Sequence, residues 1–203
     1  MKKIMSILCI GCICAFAACN SSSSNSDSVD SANNVNDSMM QDSNSMMNND
    51  TSMSTMSSAP VSQEDAAWAV KVANANMTEV ELSKVAQTKA TAPRLKNFAD
   101  MMVTDHTAAG NQLTQLAGTK NITLPANLDD KSQKKLDELN KKTGNDFDKA
   151  YRDDMLDDHK DAVDLFQKGS SDLKDADLKN FASTTLPKLQ MHLDSIKAIA
   201  GKK

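Results

Sequence analysis

The chain has 203 residues, a formal net charge of −4 at pH 7, and only 3% aromatic residues. A mildly acidic chain without a basic stripe is not expected to bind nucleic acid. All four cysteines lie at or before Cys19, so disulfides and cysteine-ligated metal sites are excluded for the rest of the chain.

Residues 1–18 have the layout of a secretory signal, in which two lysines precede an apolar run over residues 4–18. That run is shorter than the roughly 20 residues that a membrane-spanning helix needs. Because Cys19 directly follows small residues, the pattern predicts a lipoprotein attached to a membrane through a lipidated Cys19. Removal of residues 1–18 takes two lysines with it and changes the formal charge from −4 to −6. Since Asn20 is not the aspartate that commonly retains lipoproteins on the inner membrane, we expect the outer membrane, facing the periplasm.

Residues 19–61 are rich in Ser, Asn, Asp and Met and contain no aromatic residue, which predicts a disordered tether. Thioethers are soft ligands that select Cu(I), so one interpretation is a tether that binds soft metals. The other interpretation is a spacer of low complexity without a ligand. The methionines in question are Met39, Met40, Met46, Met47, Met53 and Met56.

Residues 62–203 carry apolar residues at helical spacing and form the predicted folded domain. Ser62 followed by two acids predicts a helix start, and Pro93 predicts another, because proline fits the first turn of a helix. Pro187 falls inside the last helix and predicts a kink there. The predicted helices cover about residues 62–90, 93–118, 130–142, 145–169 and 176–200.

The five residues Leu95–Ala99 recur without change 83 residues further along, as Leu178–Ala182. A duplicated segment at the start of the second and fourth long helices predicts two related αα-hairpins. The predicted fold is therefore all-α: a ferritin-like four-helix bundle with a short helix in the long crossover, and with the second and third long helices parallel.

Four segments within residues 62–200, MTEVELSKVAQTKA, FADMMVTDHTAA, YRDDMLDDHKDAVDLF and TLPKLQMHL, resemble the bacterial domain of unknown function 4142. Members of that family are typically exported or lipid-anchored. The resemblance implies a ferritin-like helical bundle and supplies no established activity.

Each long helix carries one ionisable residue eleven positions after an apolar core residue, which returns it to nearly the same helix face. Carboxylate and imidazole groups in a bundle core are typical of transition-metal sites, and imidazole suits Zn, Cu, Ni or Fe. The Glu-x-x-His pattern of di-metal centres is absent, so the prediction is one divalent transition metal. The alternative is a hydrogen-bonded polar layer that fixes helix register. The tentative ligands are Glu79, His106, Asp158, His159 and His192, with His159 at the edge of its apolar stripe.

No nucleophile–base pair and no glycine-rich phosphate loop is present in the sequence, so we expect no catalytic residues. The first functional hypothesis is a lipid-anchored envelope protein whose bundle is a non-enzymatic binding or stress-protective module. The alternative is a metal-handling protein with a bundle site and a methionine tether. A third hypothesis is a redox or oxygenase enzyme, which would need an open coordination position and a substrate pocket.

Overall fold

The computed structural model describes residues 27–46 and 61–201, and this part of the chain contains helices and no strand. The all-α prediction is confirmed. Among these helices, none combines the length and the apolar character that crossing a membrane requires. Cys19, Met47, Met53 and Met56 lie outside the described residues. The helices are α1 Ser28–Met46, α2 Gln63–Lys89, α3 Pro93–Thr119, α4 Asp130–Asn140, α5 Gly144–Asp172 and α6 Ala176–Ile199.

The helix starts follow the capping residues of the sequence. Ser62 accepts a hydrogen bond from the Asp65 backbone N–H at the start of α2, and Pro93 is the first residue of α3. Asp129 and Asp175 cap α4 and α6 in the same way, by accepting from backbone N–H groups of the first turn. Such caps satisfy donors that have no partner within the helix. The helix α6 continues through Pro187.

The four long helices pack as two hairpins, α2 with α3 and α5 with α6, and the hairpins meet through α2–α5 and α3–α6 contacts. A first apolar cluster includes the beginnings of α2 and α6 and the ends of α3 and α5. A second cluster collects the opposite ends of the same four helices. The helices α3 and α5 are therefore parallel, and the short α4 lies in the crossover between them.

A polar layer separates the two apolar clusters. It consists of Glu79 on α2, His106 on α3, His159 on α5 and His192 on α6, all buried. On every long helix, the residues of one cluster precede this position and those of the other cluster follow it. The fold therefore places one ionisable side chain from each long helix at mid-height in the core.

The repeated LKNFA segment occupies equivalent positions, because Leu95 and Leu178 are each the third residue of their helix. Phe98 and Phe181 are both buried, at 3% and 7% exposure. Phe98 belongs to the second cluster and Phe181 to the first. The two copies of the hairpin thus contribute the same residues to opposite ends of the core.

The prediction that all of residues 19–61 is disordered is wrong for α1, which packs against α2. The Asn36 side chain is buried and bonds both backbone groups of Thr123: its Nδ2 donates to the carbonyl at 3.0 Å, and its Oδ1 accepts from the N–H at 2.7 Å. These hydrogen bonds tie α1 to the loop that follows α3 and add to the apolar contacts of α1. Met40 packs against the first cluster, whereas Met39 is 48% exposed, so neither lies in a flexible tether.

Candidate metal centre

Three histidines from three helices meet in the polar layer. His106, His159 and His192 are 4%, 0% and 1% exposed, so His159 lies fully inside the core and not at the edge of its apolar stripe. Their ring centroids are 5.3 to 5.7 Å apart. One ring nitrogen from each histidine lies within 4.8 Å of one from each of the others. That spacing brings three imidazoles within reach of a single ion.

Oxygen acceptors fix the tautomers of two of these histidines. His106 Nδ1 lies 3.1 Å from Asn76 Oδ1, and His159 Nδ1 lies 2.9 Å from the backbone carbonyl of Met155. Since a carbonyl oxygen only accepts, each Nδ1 carries the hydrogen and donates it. The Nε2 atom of each ring therefore has its lone pair free.

His192 is held by a carboxylate on the neighbouring helix α3. Its Nε2 donates to Asp105 Oδ2 at 2.9 Å, and the other carboxylate oxygen of Asp105 accepts from Lys188 Nζ at 2.9 Å. Burial raises the pKa of Asp105, but hydrogen bonds from Lys188 and His192 outweigh it and hold this pKa below its usual value. Asp105 thus stays ionised and leaves the lone pair on His192 Nδ1.

The nitrogen atoms with free lone pairs are the ones that lack a partner. His106 Nε2, His159 Nε2 and His192 Nδ1 are buried and make no hydrogen bond within the described part of the chain. Leaving a buried polar atom unpaired costs about 1–3 kcal/mol, so three in one layer need an explanation. In metal sites, histidine ligands characteristically bond their second nitrogen to a carboxylate or a carbonyl, as all three do here.

The histidines are neutral at pH 7, which metal binding requires. Burial lowers the pKa of His106 to about 3 and that of His159 to about 4, and in each case neighbouring imidazoles add to the effect. Burial also lowers the pKa of His192, against the opposing effect of Asp105. Three neutral imidazoles with free lone pairs can bind a cation without first losing protons.

Glu79 joins the polar layer from α2. Its Oε2 is 3.0 Å from His106 Nδ1, and its Oε1 is 3.5 Å from His159 Nδ1 and has no hydrogen-bond partner. Burial raises the pKa of Glu79 well above its usual value, and the charge of Asp158 raises it further. Glu79 therefore contacts the hydrogen-bearing sides of two histidines, where it can orient the rings.

Asp158, the remaining predicted ligand, does not join the histidines. Its Oδ1 lies 2.6 Å from Lys135 Nζ on α4, and no hydrogen bond links it to an imidazole. It projects toward the crossover because it precedes His159 by one residue, and consecutive helical residues point about 100° apart. Of the five predicted residues, the three histidines bring ring nitrogens together and Glu79 contacts two of them. Asp158 pairs with Lys135 instead.

Sequence reasoning missed Asn76 and Asp105. Asn76 lies three residues before Glu79, on the same helix face, and Asp105 directly precedes His106, so both were within reach of a search around the predicted ligands. Gly110 completes this arrangement: a Cβ at that position would lie 2.7 Å from Asn76 Nδ2. A larger residue at 110 would displace the amide that fixes the His106 tautomer.

Residues 50–199 match the family described as domain of unknown function DUF4142. The chain belongs to this family. The match confirms the resemblance seen in the quoted segments. No curated protein matches the sequence.

Two solved structures are similar to the DUF4142 domain in fold. One is a DUF305 fragment from Deinococcus radiodurans, with a TM-score of 0.63 and 9% identity, covering 70% of this chain and 98% of the fragment. The other is CopM in the Cu(I)-bound form, with a TM-score of 0.55 and 18% identity, covering 66% of this chain and 93% of CopM. At these identities the likeness establishes a shared helical fold.

Proposed function

We propose that this domain binds one transition-metal ion between His106, His159 and His192, and that the protein handles metal in the cell envelope. The observation that carries the proposal is the set of three buried nitrogens without partners, one on each histidine. A hydrogen-bonded layer that only fixes helix register would use those atoms within the protein. Here each histidine is bonded on one side and left free on the other.

Cu(I) is the first ion to test. Imidazole suits copper, zinc, nickel and iron, and softer ligand sets favour Cu(I). A protein of similar fold, CopM, was determined in a Cu(I)-bound form. Three neutral imidazoles add no charge to a buried layer, so a monovalent ion brings less charge to be desolvated than a divalent one. Zn(II) is the comparison, because it accepts the same nitrogen ligands.

The deciding experiment measures bound metal on protein purified without a histidine tag. We expect one Cu(I) per chain in competition with a chromogenic chelator, and loss of that ion in His106→Ala, His159→Ala and His192→Ala. Thr107→Ala changes an exposed neighbour of His106 and is the matched control. Unchanged stoichiometry in the histidine variants would contradict the site. Binding of Zn(II) alone would retain the site and replace the proposed ion.

The proposed location rests on the sequence. Lipidation at Cys19 would attach the domain to the outer membrane on its periplasmic side, and the ferritin-like classification of the bundle is part of the same proposal. The parallel α3 and α5 with a crossover helix between them support that classification. Cys19→Ser is expected to abolish incorporation of labelled lipid and to release the protein from the membrane fraction. Labelled lipid on the Cys19→Ser protein would contradict the anchor.

The methionines beyond the bundle are a second candidate for metal binding. Met39 and Met40 lie within α1, which packs against α2, and are not offered as ligands, so the proposed collector is reduced to Met46 at the end of α1 and to Met47, Met53 and Met56. Leucine at these four positions should leave the stoichiometry of the bundle site unchanged. A drop of one Cu(I) per chain in that variant would move the site from the bundle to the methionines.

A further inference from the structure

The polar layer is packed differently on its two sides. On the side of the second apolar cluster, Met102 and Met155 are fully buried one helical turn before His106 and His159. On the side of the first apolar cluster, a cavity adjoins the layer. It is lined by Glu79, His106 and His192 from the layer and by members of the first cluster, and by no member of the second. The layer is therefore closed by packing on one side and faces a void on the other.

The cavity is small and mostly apolar. Its volume is about 30 Å³. One water molecule needs about 10–15 Å³ of such space, so the cavity has room for about two to three heavy atoms. The apolar lining comes from all four long helices and includes Val72, Ala109, Leu113, Phe166, Phe181 and Leu189. A charged occupant would exchange its hydration for a largely apolar lining, which is unfavourable. The lining therefore favours a small uncharged molecule.

An entrance lies where the lining reaches solvent. Lys188 on α6 is exposed, and the neighbouring lining residues Asp105, Ala109 and Thr185 are half-buried. Asp105 and Lys188 are ion-paired at 2.9 Å on this side of the cavity. This exposed edge between α3 and α6 is where a small neutral molecule would enter.

We propose that this cavity binds one small uncharged molecule, of the size of dioxygen, nitric oxide or carbon monoxide, beside the metal held by the three histidines. The metal in this proposal is the one of the proposed function, whereas the cavity is present in the structure whether or not metal binds. Metal sites that only stabilise a fold have all ligand positions filled by protein, whereas sites that bind further ligands keep one position open. Three histidine ligands would leave a position for a further ligand, and two of these histidines, His106 and His192, line the void.

The test uses the full chain and two probes. Carbon monoxide is titrated into the Cu(I)-loaded protein and followed by its infrared stretch, and xenon is titrated into the metal-free protein and followed by the methyl NMR shifts of Leu113 and Leu189. We expect one carbon monoxide per copper and xenon-dependent shifts at both leucines. Ala109→Leu fills the cavity, and Ala108→Leu, at the exposed neighbouring position, is the matched control.

Ala109→Leu should bind Cu(I) with unchanged stoichiometry, lose at least about tenfold in affinity for carbon monoxide, and lose the xenon shifts, because the added methyl groups occupy the void. If Ala109→Leu does not fold, Thr185→Leu fills the same cavity from α6. Equal carbon monoxide affinity in the 108 and 109 variants, or a fully loaded wild type that binds none, would overturn the proposal and leave the metal site intact. If no metal binds, the proposed function fails, and xenon still decides whether the cavity accepts a small apolar molecule.

Discussion

The middle of α3 and the middle of α5 carry the same pattern, Met-x-x-Asp-His, at residues 102–106 and 155–159. The two helices run parallel, so their patterns meet the core at the same height. In both, the methionine is fully buried in the second cluster and the histidine is in the polar layer. The two aspartates, by contrast, have different partners.

Asp105 turns toward α6, where it accepts hydrogen bonds from His192 and from Lys188. Asp158 turns toward α4, where it pairs with Lys135. His159 bonds the backbone carbonyl of Met155, within its own helix, whereas His106 bonds Asn76 on α2. The same five-residue pattern therefore gives one acid that positions a histidine and one that joins the crossover to the bundle.

The difference shows that a local pattern determines which face a residue occupies, whereas the neighbouring helix determines what that residue does there. Helix periodicity assigns methionine and histidine to the core in both copies. The role of the aspartate depends on whether the adjacent helix presents an imidazole or a lysine. Five predictions, in order of decreasing effect, test this separation between shared and differing roles.

The buried methionines should behave alike, because both lie in the packed side of the layer. Met102→Ala and Met155→Ala should each lower the free energy of unfolding by about 2–5 kcal/mol, since each leaves a cavity in a fully buried position. Urea denaturation measures the effect, and Met191→Ala, at a position 45% exposed, should change the free energy by less than about 0.5 kcal/mol. A loss confined to one of the two buried positions would break the similarity between α3 and α5.

The histidines should also behave alike when the pH of the metal-free protein falls. In the unfolded chain a histidine takes up a proton near pH 6.5, whereas burial keeps His106 neutral to about pH 3 and His159 to about pH 4. Each therefore lowers the free energy of unfolding as pH drops below 6.5, by about 2 kcal/mol at pH 5. Thermal and urea unfolding from pH 5 to 8 measure this slope, and His159→Gln should reduce it.

Glu79 has the opposite sign, because burial raises its pKa. The folded protein retains its proton where the unfolded chain has lost it, so stability declines as pH rises. That decline runs from the ordinary pKa of a glutamate up to the raised pKa of the folded state, and its sign is opposite to that of the histidines. Glu79→Gln should remove this contribution, so that stability rises more steeply with pH than in the wild type; an unchanged slope would assign the decline to another group.

The aspartates should differ in their effect on metal affinity. Asp105→Asn weakens the acceptor that fixes the His192 tautomer, and loss of such a partner typically costs about 10–100-fold in metal affinity. Asp158→Asn removes the pairing with Lys135 and a charge near Glu79, which is not one of the three ligands, and should change affinity by less than about threefold, or under 1 kcal/mol. Competition with a chelator measures both. Equal losses would mean that Asp158 also acts on the site.

Sequence reasoning predicted the elements well because the signals were local. Ser62 and Pro93 determine helix starts, and the apolar spacing over four helices assigns their buried faces. It placed His106 and His192 inside for the same reason. It failed for α1, where one amide, Asn36, forms long-range bonds to a loop that composition does not reveal. It named Asp158 and missed Asp105 because facing was judged within one helix, whereas the histidine that Asp105 bonds lies on another.

The smallest predicted effect is on the pKa of Asp154, which lies on α5 near Lys135 of α4. Burial raises the pKa of Asp154 to about 6, nearby acids add to this, and Lys135, whose Nζ is 3.9 Å away, opposes it. Lys135→Met removes that opposing charge and should move the Asp154 pKa above 6, measured by carboxyl ¹³C NMR titration. Lys188→Met, on the Asp105 side, is the control and should leave it unchanged. If Lys135→Met left the Asp154 pKa at about 6, Lys135 would not act on the acids of α5 as Lys188 acts on Asp105. Asp105 and Asp158 would then differ in more than the residues they pair with.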